Sequence, residues 1–172
     1  MTVISFQPKP EFGQLYTDYY DRVYKYVYTM LMNKEDAEDI VSETFVAAFR
    51  HYDDYDPHRS APGTWLTRIA HNMAVNLVRS SAYRNRAELP EDDRRASGDP
   101  GPGDLAEIND QVMRLYSRLS HDEREFLNLR YAMELRDAEV AEILELPVKT
   151  VNKRYQRLLK KCREIMCLQA EG

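Results

Sequence analysis

Between Arg84 and Asp104 the chain carries Pro90, Gly98, Pro100, Gly101, Pro102 and Gly103 among mixed charges, with almost nothing apolar. A stretch of that composition cannot bury enough surface to offset the entropy of ordering it, so it reads as a flexible linker. With 172 residues in all, what folds must do so as two small units on either side of it.

The first unit has three helical patterns. Phe12, Leu15, Tyr16, Tyr19, Val23, Tyr26, Val27 and Met30 recur at three- and four-residue steps, one face of an amphipathic helix whose tyrosines serve as core and rim packing. A second helix places Ala37, Ile40, Val41, Thr44, Phe45 and Ala48 inward and Asp39, Glu43 and Arg50 outward. Asp53 to Gly63, rich in Asp, Pro and Gly, reads as a loop, and a third helix opens near Thr64, burying Leu66, Ile69, Ala70, Met73 and Leu77.

Beyond the linker, Ile108, Val112, Leu115 and Leu119 restart the helical period, and Ser120 with Glu123 forms a capping box for the next helix. A short helix from Asp137 to Leu144, with Asp137 as its cap, is broken at Glu145 to Pro147, and a long helix runs from Val148. Two helices across a three-residue turn make a helix-turn-helix. No strand pattern appears, so the expected class is all-α: two small helical domains, residues 8–83 and 108–168, joined by a flexible linker at 84–107.

Charge sorts the surfaces. The net charge is −5, which by itself argues against a nucleic-acid partner, but its distribution argues otherwise. From Lys149 to Arg163 the chain reads Lys149, Lys153, Arg154, Arg157, Lys160, Lys161 and Arg163 with no acid between them, while Glu35, Asp36, Glu38, Asp39 and Glu43 crowd the second helix. One acidic and one basic face suggest two different partners. On the last helix Val148, Val151, Tyr155, Leu158, Leu159 and Cys162 share the packed side; Lys149, Lys153, Arg157 and Lys160 lie opposite, flanked by Thr150, Asn152, Arg154 and Gln156. Its N-terminal half can reach base edges in a major groove, and its later lysines can grip phosphate. The plainer reading is a solvated basic face; the short helix and tight turn before it favour DNA.

A second surface is the lateral row Trp65, Arg68, Asn72, Asn76 and Arg79 of the third helix. Aromatic and guanidinium planes stack on unpaired bases and Asn bonds their edges, which suits single-stranded DNA. Alone, Trp65 would read as a core residue at a helix start. The acidic face of the second helix reads, by periodicity, as merely solvated. His51, His58, His71 and His121 have no metal-ligand spacing, and no nucleophile elbow or phosphate loop is present, so neither cofactor nor catalysis is expected. Cys162 and Cys167 point in different directions on one helix; with no signal segment or membrane-length apolar run, the expected setting is a reducing cytoplasm without membrane insertion.

These segments resemble the extracytoplasmic-function (ECF) class of sigma factors. "DAEDIVSETFVAAF" (Asp36–Phe49) resembles its core-polymerase-binding segment, "TWLTRIAHNMAVNLVR" (Thr64–Arg79) its −10 recognition segment, and Leu119–Glu164 its −35 recognition domain. The resemblance implies that residues 8–83 form sigma region 2 and residues 108–168 sigma region 4, that Asp36, Asp39 and Glu43 dock on the clamp helices of the polymerase's largest subunit, and that Asn152, Lys153, Arg154 and Arg157 contact the −35 duplex. It further implies a melted −10 strand held near the Asp53–Gly63 loop with Arg68, Asn72, Asn76 and Arg79 close by, a linker threading toward the RNA exit path, and an anti-sigma factor as a partner. Three positions depart from the family's usual residues: Ser42 stands for Gln, Arg136 for a capping Ser, and Glu145 for a turn Gly. Glu145 in a left-handed conformation would cost on the order of 1 kcal/mol against Gly. Two rivals remain: a helix-turn-helix regulator that is not a polymerase subunit, and a sigma-like decoy that occupies polymerase and starts nothing.

Overall fold

A computed structural model of the chain describes residues 8–80 and 110–170; the expected linker lies outside the described residues. Seven helices are present and no strand among the described residues: α1 (Phe12–Leu31), α2 (Lys34–Arg50), α3 (Pro62–Arg79), α4 (Asp110–Ser117), α5 (His121–Tyr131), α6 (Asp137–Ile143) and α7 (Val148–Ala170).

The first three pack pairwise into a bundle. α1 ends where Met32 turns left-handed at φ 54°, its amide bonding back to the Tyr28 carbonyl. Asn33 then caps α2, accepting from the Asp36 amide at 3.0 Å. Every residue assigned to the inner face of α2 is buried. α3 opens at Pro62 rather than near Thr64, because proline fits the first helical turn, where its missing N–H costs nothing. The helix passes close over α1 at Gly63, where a Cβ would stand 2.8 Å from a ring carbon of Tyr19.

In the second bundle the expected capping box closes α5: Ser120 Oγ accepts from the Glu123 amide and Glu123 returns a bond from the Ser120 amide at 3.0 Å. The cap of α6 is a correction. Asp137 is the first helical residue, paired at 3.0 Å with Arg130, and Arg136 occupies the cap position. Arg136 has no oxygen to offer; Glu139 instead reaches back to accept from its amide at 2.9 Å and its Nε at 3.3 Å.

The two bundles are not merely tethered. Their buried apolar residues form one contiguous cluster, and α5 lies against α1 while α6 meets α3. The seam is unusually polar. His121 Nδ1 lies 3.0 Å from the Met30 carbonyl, and Arg22 donates to the Met133 carbonyl at 3.1 Å and pairs with Glu134 at 3.3 Å. Thr64 donates to Glu139 at 2.8 Å, Arg68 pairs with Glu142, and His71 meets the buried carboxylate of Glu125. Burial first, then the charge of Glu125, holds the Tyr26 phenol beside it well above its ordinary range.

Candidate nucleic-acid and polymerase interfaces

The α6–turn–α7 unit is built to hold one helix outward. At the end of α6 the Glu145 amide returns to Glu142 at 3.4 Å and the Leu146 amide to Ala141 at 2.9 Å, which requires the intervening residue to be left-handed. That residue is Glu145, at φ 53°. The Pro147 carbonyl then accepts from Thr150 and Val151, starting α7. Val151, Tyr155, Leu158 and Cys162 are buried along one stripe. Tyr155 fixes the helix's rotation: its hydroxyl donates to the Phe126 carbonyl at 2.8 Å, its ring sits 4.4 Å from that of Phe126, and the Arg130 guanidinium lies 5.9 Å from it. Burial pushes the Tyr155 phenol well up, so it remains a donor.

With that stripe buried, the opposite face points to solvent. Lys149, Asn152, Lys153, Arg154, Gln156, Arg157 and Lys160 are exposed and Thr150 is half-buried, so all eight expected residues share one open surface. Lys161, at its margin, is tied to Glu123 at 2.7 Å. Desolvation raises the Glu123 carboxyl, but bonds from Lys161 and the Ser120 amide outweigh it and hold the group below its ordinary value.

The row on α3 is divided. Asn72, Asn76 and Arg79 are exposed. Trp65 is half-buried and stacked on Tyr55 at 4.4 Å, with Tyr52 at 6.4 Å, so one indole face is already occupied. Arg68 is half-buried under α6, its guanidinium on Glu142. The loop before α3 is braced by Tyr55, which donates to the Ser60 carbonyl at 2.9 Å, and by Lys9, which bonds the Tyr52 carbonyl and lies over the Tyr52 ring.

On α2, Asp39 and Glu43 are exposed and border a groove shared with Asn76 and Leu77, whereas Asp36 is buried at the first turn. The sequence reading missed how this ridge continues. Val46 and Phe49 extend it at helical spacing, 48% and 65% exposed, and border an aromatic groove with Tyr16 and Phe12 of α1. Phe49 packs edge-on to Phe12 at 5.1 Å, and Tyr16 against Phe45 at 4.8 Å. The available signal was a pair of large apolar residues on the polar side of the wheel, which isolated exposure does not make informative but a shared patch does. No cluster of potential metal ligands occurs among the described residues, and no helix there is long and apolar enough to cross a membrane.

Comparison with known proteins gives these surfaces a family. Residues 15–84 match the model of sigma-70 region 2, and residues 109–162 that of sigma-70 region 4. The chain is 32% identical over 154 residues to the ECF RNA polymerase sigma factor BldN of Streptomyces coelicolor, covering 86% of this chain and 58% of BldN. It is 30% identical over 164 residues to the ECF RNA polymerase sigma factor SigW of Bacillus subtilis, covering 85% of this chain and 83% of SigW. Among solved structures it resembles CnrH in complex with the cytosolic domain of CnrY, with a TM-score of 0.64 and 27% identity over 94% of this chain and 89% of that one. An all-helical chain that carries regions 2 and 4 in this order, with the seven-helix architecture described above, belongs to the ECF family of RNA polymerase sigma factors.

Proposed function

We propose that this chain directs core RNA polymerase to promoters, reading an upstream −35 duplex with α7 and a melted −10 strand with α3, while α2 grips the polymerase. The observation that carries the reading is the outward face of α7: basic and amide side chains fixed on one solvent-exposed surface by a buried opposite stripe and a tight turn. A helix of this kind supplies both phosphate contacts and base-edge donors.

In this reading Lys149, Thr150, Asn152, Lys153, Arg154, Gln156, Arg157 and Lys160 face the −35 element. Trp65, Arg68, Asn72, Asn76 and Arg79 face the −10 strand, where unstacking a base costs a few kcal/mol that stacking and hydrogen bonds must offset. Asp36, Asp39 and Glu43 belong to the polymerase-docking side; the exposure of Asp39 and Glu43 supports direct contact, and the burial of Asp36 supports a role in holding the start of α2. The Val46–Phe49 patch extends that docking surface, because an apolar patch continuous with an acidic one provides both burial and register. Residues 8–83 act as region 2 and 108–168 as region 4, with 84–107 as the connection.

The protein works in the cytoplasm, performs no bond chemistry of its own and needs no cofactor. An anti-sigma factor is a further proposed partner; a chain of similar fold, the sigma factor RpoE from Bartonella quintana, is solved in complex with the anti-sigma factor NepR. In vitro transcription tests the whole reading. Core polymerase plus this chain should yield RNA from discrete start sites on genomic fragments, and K153A/R157A should abolish them. Absence of chain-dependent start sites would contradict it.

A further inference from the structure

The loop that leads into α3 is held by a residue far from it in sequence. Lys9 lies between Pro8 and Pro10, and a residue before proline is confined to extended backbone, so its side chain starts from a restrained stem. Its ammonium donates to the Tyr52 carbonyl and, at 3.3 Å, to the Asp53 carbonyl, just past the end of α2, where the helix leaves negative partial charge. The same ammonium stands 4.4 Å from the centre of the Tyr52 ring and 5.9 Å from that of Tyr55. Those two rings stack at 6.1 Å, and Tyr55 stacks in turn on Trp65 at 4.4 Å. Phe12, the first residue of α1, closes the cluster edge-on to Tyr52 at 5.3 Å.

We infer that Lys9 is a positioning residue for the melted strand: through Tyr52 and Tyr55 it fixes the plane in which Trp65 meets an unpaired base. The inference rests on the proposed reading of α3 as the −10 surface. Trp65 is half-buried, so only part of its indole is left for a base. Stacking needs near-parallel planes at contact distance, and the indole plane is set by the Tyr55 ring, 24° from it. Tyr55 is tied on one side by its hydroxyl, which donates to the Ser60 carbonyl at 2.9 Å; burial pushes that phenol up to about 12, so it stays a donor. Lys9 supplies the anchor on the other side. Removing its charge frees two carbonyls and the Tyr52 ring at the base of the stack, with no direct contact to Trp65 lost.

Lys9→Met deletes the charge and the donors at similar length, whereas Lys9→Arg keeps both. Core polymerase with each variant is placed on a promoter fragment mapped from the chain's own start sites, and permanganate reactivity of thymines near −10 reads strand opening. Lys9→Met should lower the opened fraction by about fivefold, and Lys9→Arg should restore most of it. Binding to a fragment that stops upstream of the −10 element, which uses α7, should not change. Trp65 is the one tryptophan of the chain, so its emission in the free protein reports the stack directly. Acrylamide should quench that emission more in Lys9→Met than in the wild type or Lys9→Arg, at an unchanged melting temperature.

Wild-type opening by Lys9→Met, with Asn76→Ala and Arg79→Ala each weakened, would overturn the role of Lys9 and leave α3 as the strand reader. Wild-type opening by all three variants would remove the α3 reading and the inference with it. A loss in Lys9→Met that Lys9→Arg does not restore, together with a lower melting temperature, would also overturn the inference by making Lys9 a brace of the fold alone.

Discussion

At the scale of single residues, the chain spends stability where its surfaces need shape. Glu145 adopts a left-handed conformation that side chains other than Gly and Asn enter at a cost, because the α6–α7 turn requires it. Glu145→Gly should therefore stabilise the protein by about 1 kcal/mol and raise the melting temperature by roughly 2–4 °C in a scanning calorimeter. Ser120→Ala should do the reverse, costing about 1 kcal/mol in denaturant titration through loss of the α5 cap. Acid acts on the same cap. The Glu123 carboxyl, despite the opposing effect of desolvation, is held below its ordinary value of 4.5 by Lys161 and Ser120, and the Glu139 carboxyl by Arg136 and Thr64. Their contribution to stability is complete above that ordinary value and is lost as pH falls through the lower folded values. Glu123→Gln should flatten the acid limb of a stability–pH curve and leave its neutral-pH slope unchanged.

At the scale of elements, helices were legible because their apolar periods are long and uninterrupted: of the packed side expected on α7, Val151, Tyr155, Leu158 and Cys162 are buried and Leu159 half-buried, while Val148 at the helix start is exposed. Helix starts were less so. α3 begins at Pro62, two residues before Thr64, and α6 begins at Asp137 behind Arg136, whose amide is taken by a returning Glu139 bond where the residue types suggest a cap by Asp137. The family resemblance put acidic α2 residues on the polymerase, but the apolar continuation of that ridge emerged only when α1 brought Phe12 and Tyr16 beside Phe49. Phe49→Ala should lower affinity for core polymerase in a pull-down or anisotropy titration. Its exposed ring makes the expected stability loss small, about 0.5 kcal/mol or less. A melting temperature that falls along with polymerase binding would instead assign Phe49 to the core.

At the scale of the molecule, composition marked two helical domains and a linker without fixing how the domains pack, and the described residues share one core and a polar seam. The seam was hidden because its members, Arg22, Thr64, Arg68 and His71 facing Glu125, Glu134, Glu139 and Glu142, look in sequence like solvated or DNA-facing residues. None of these four pairings leaves a periodic signature. The net charge of −5 belongs to this scale too: long-range repulsion from DNA opposes the local attraction of α7. Partnership with polymerase is what reconciles a negative chain with a DNA-reading helix. The most direct measurement is the affinity for one promoter fragment, mapped from the chain's own start sites, at physiological salt with and without core polymerase. The free chain should bind that fragment little better than scrambled duplex, and addition of core should produce tight, sequence-specific binding that K153A/R157A loses. Tight and specific binding by the chain alone, unchanged by core, would contradict the account.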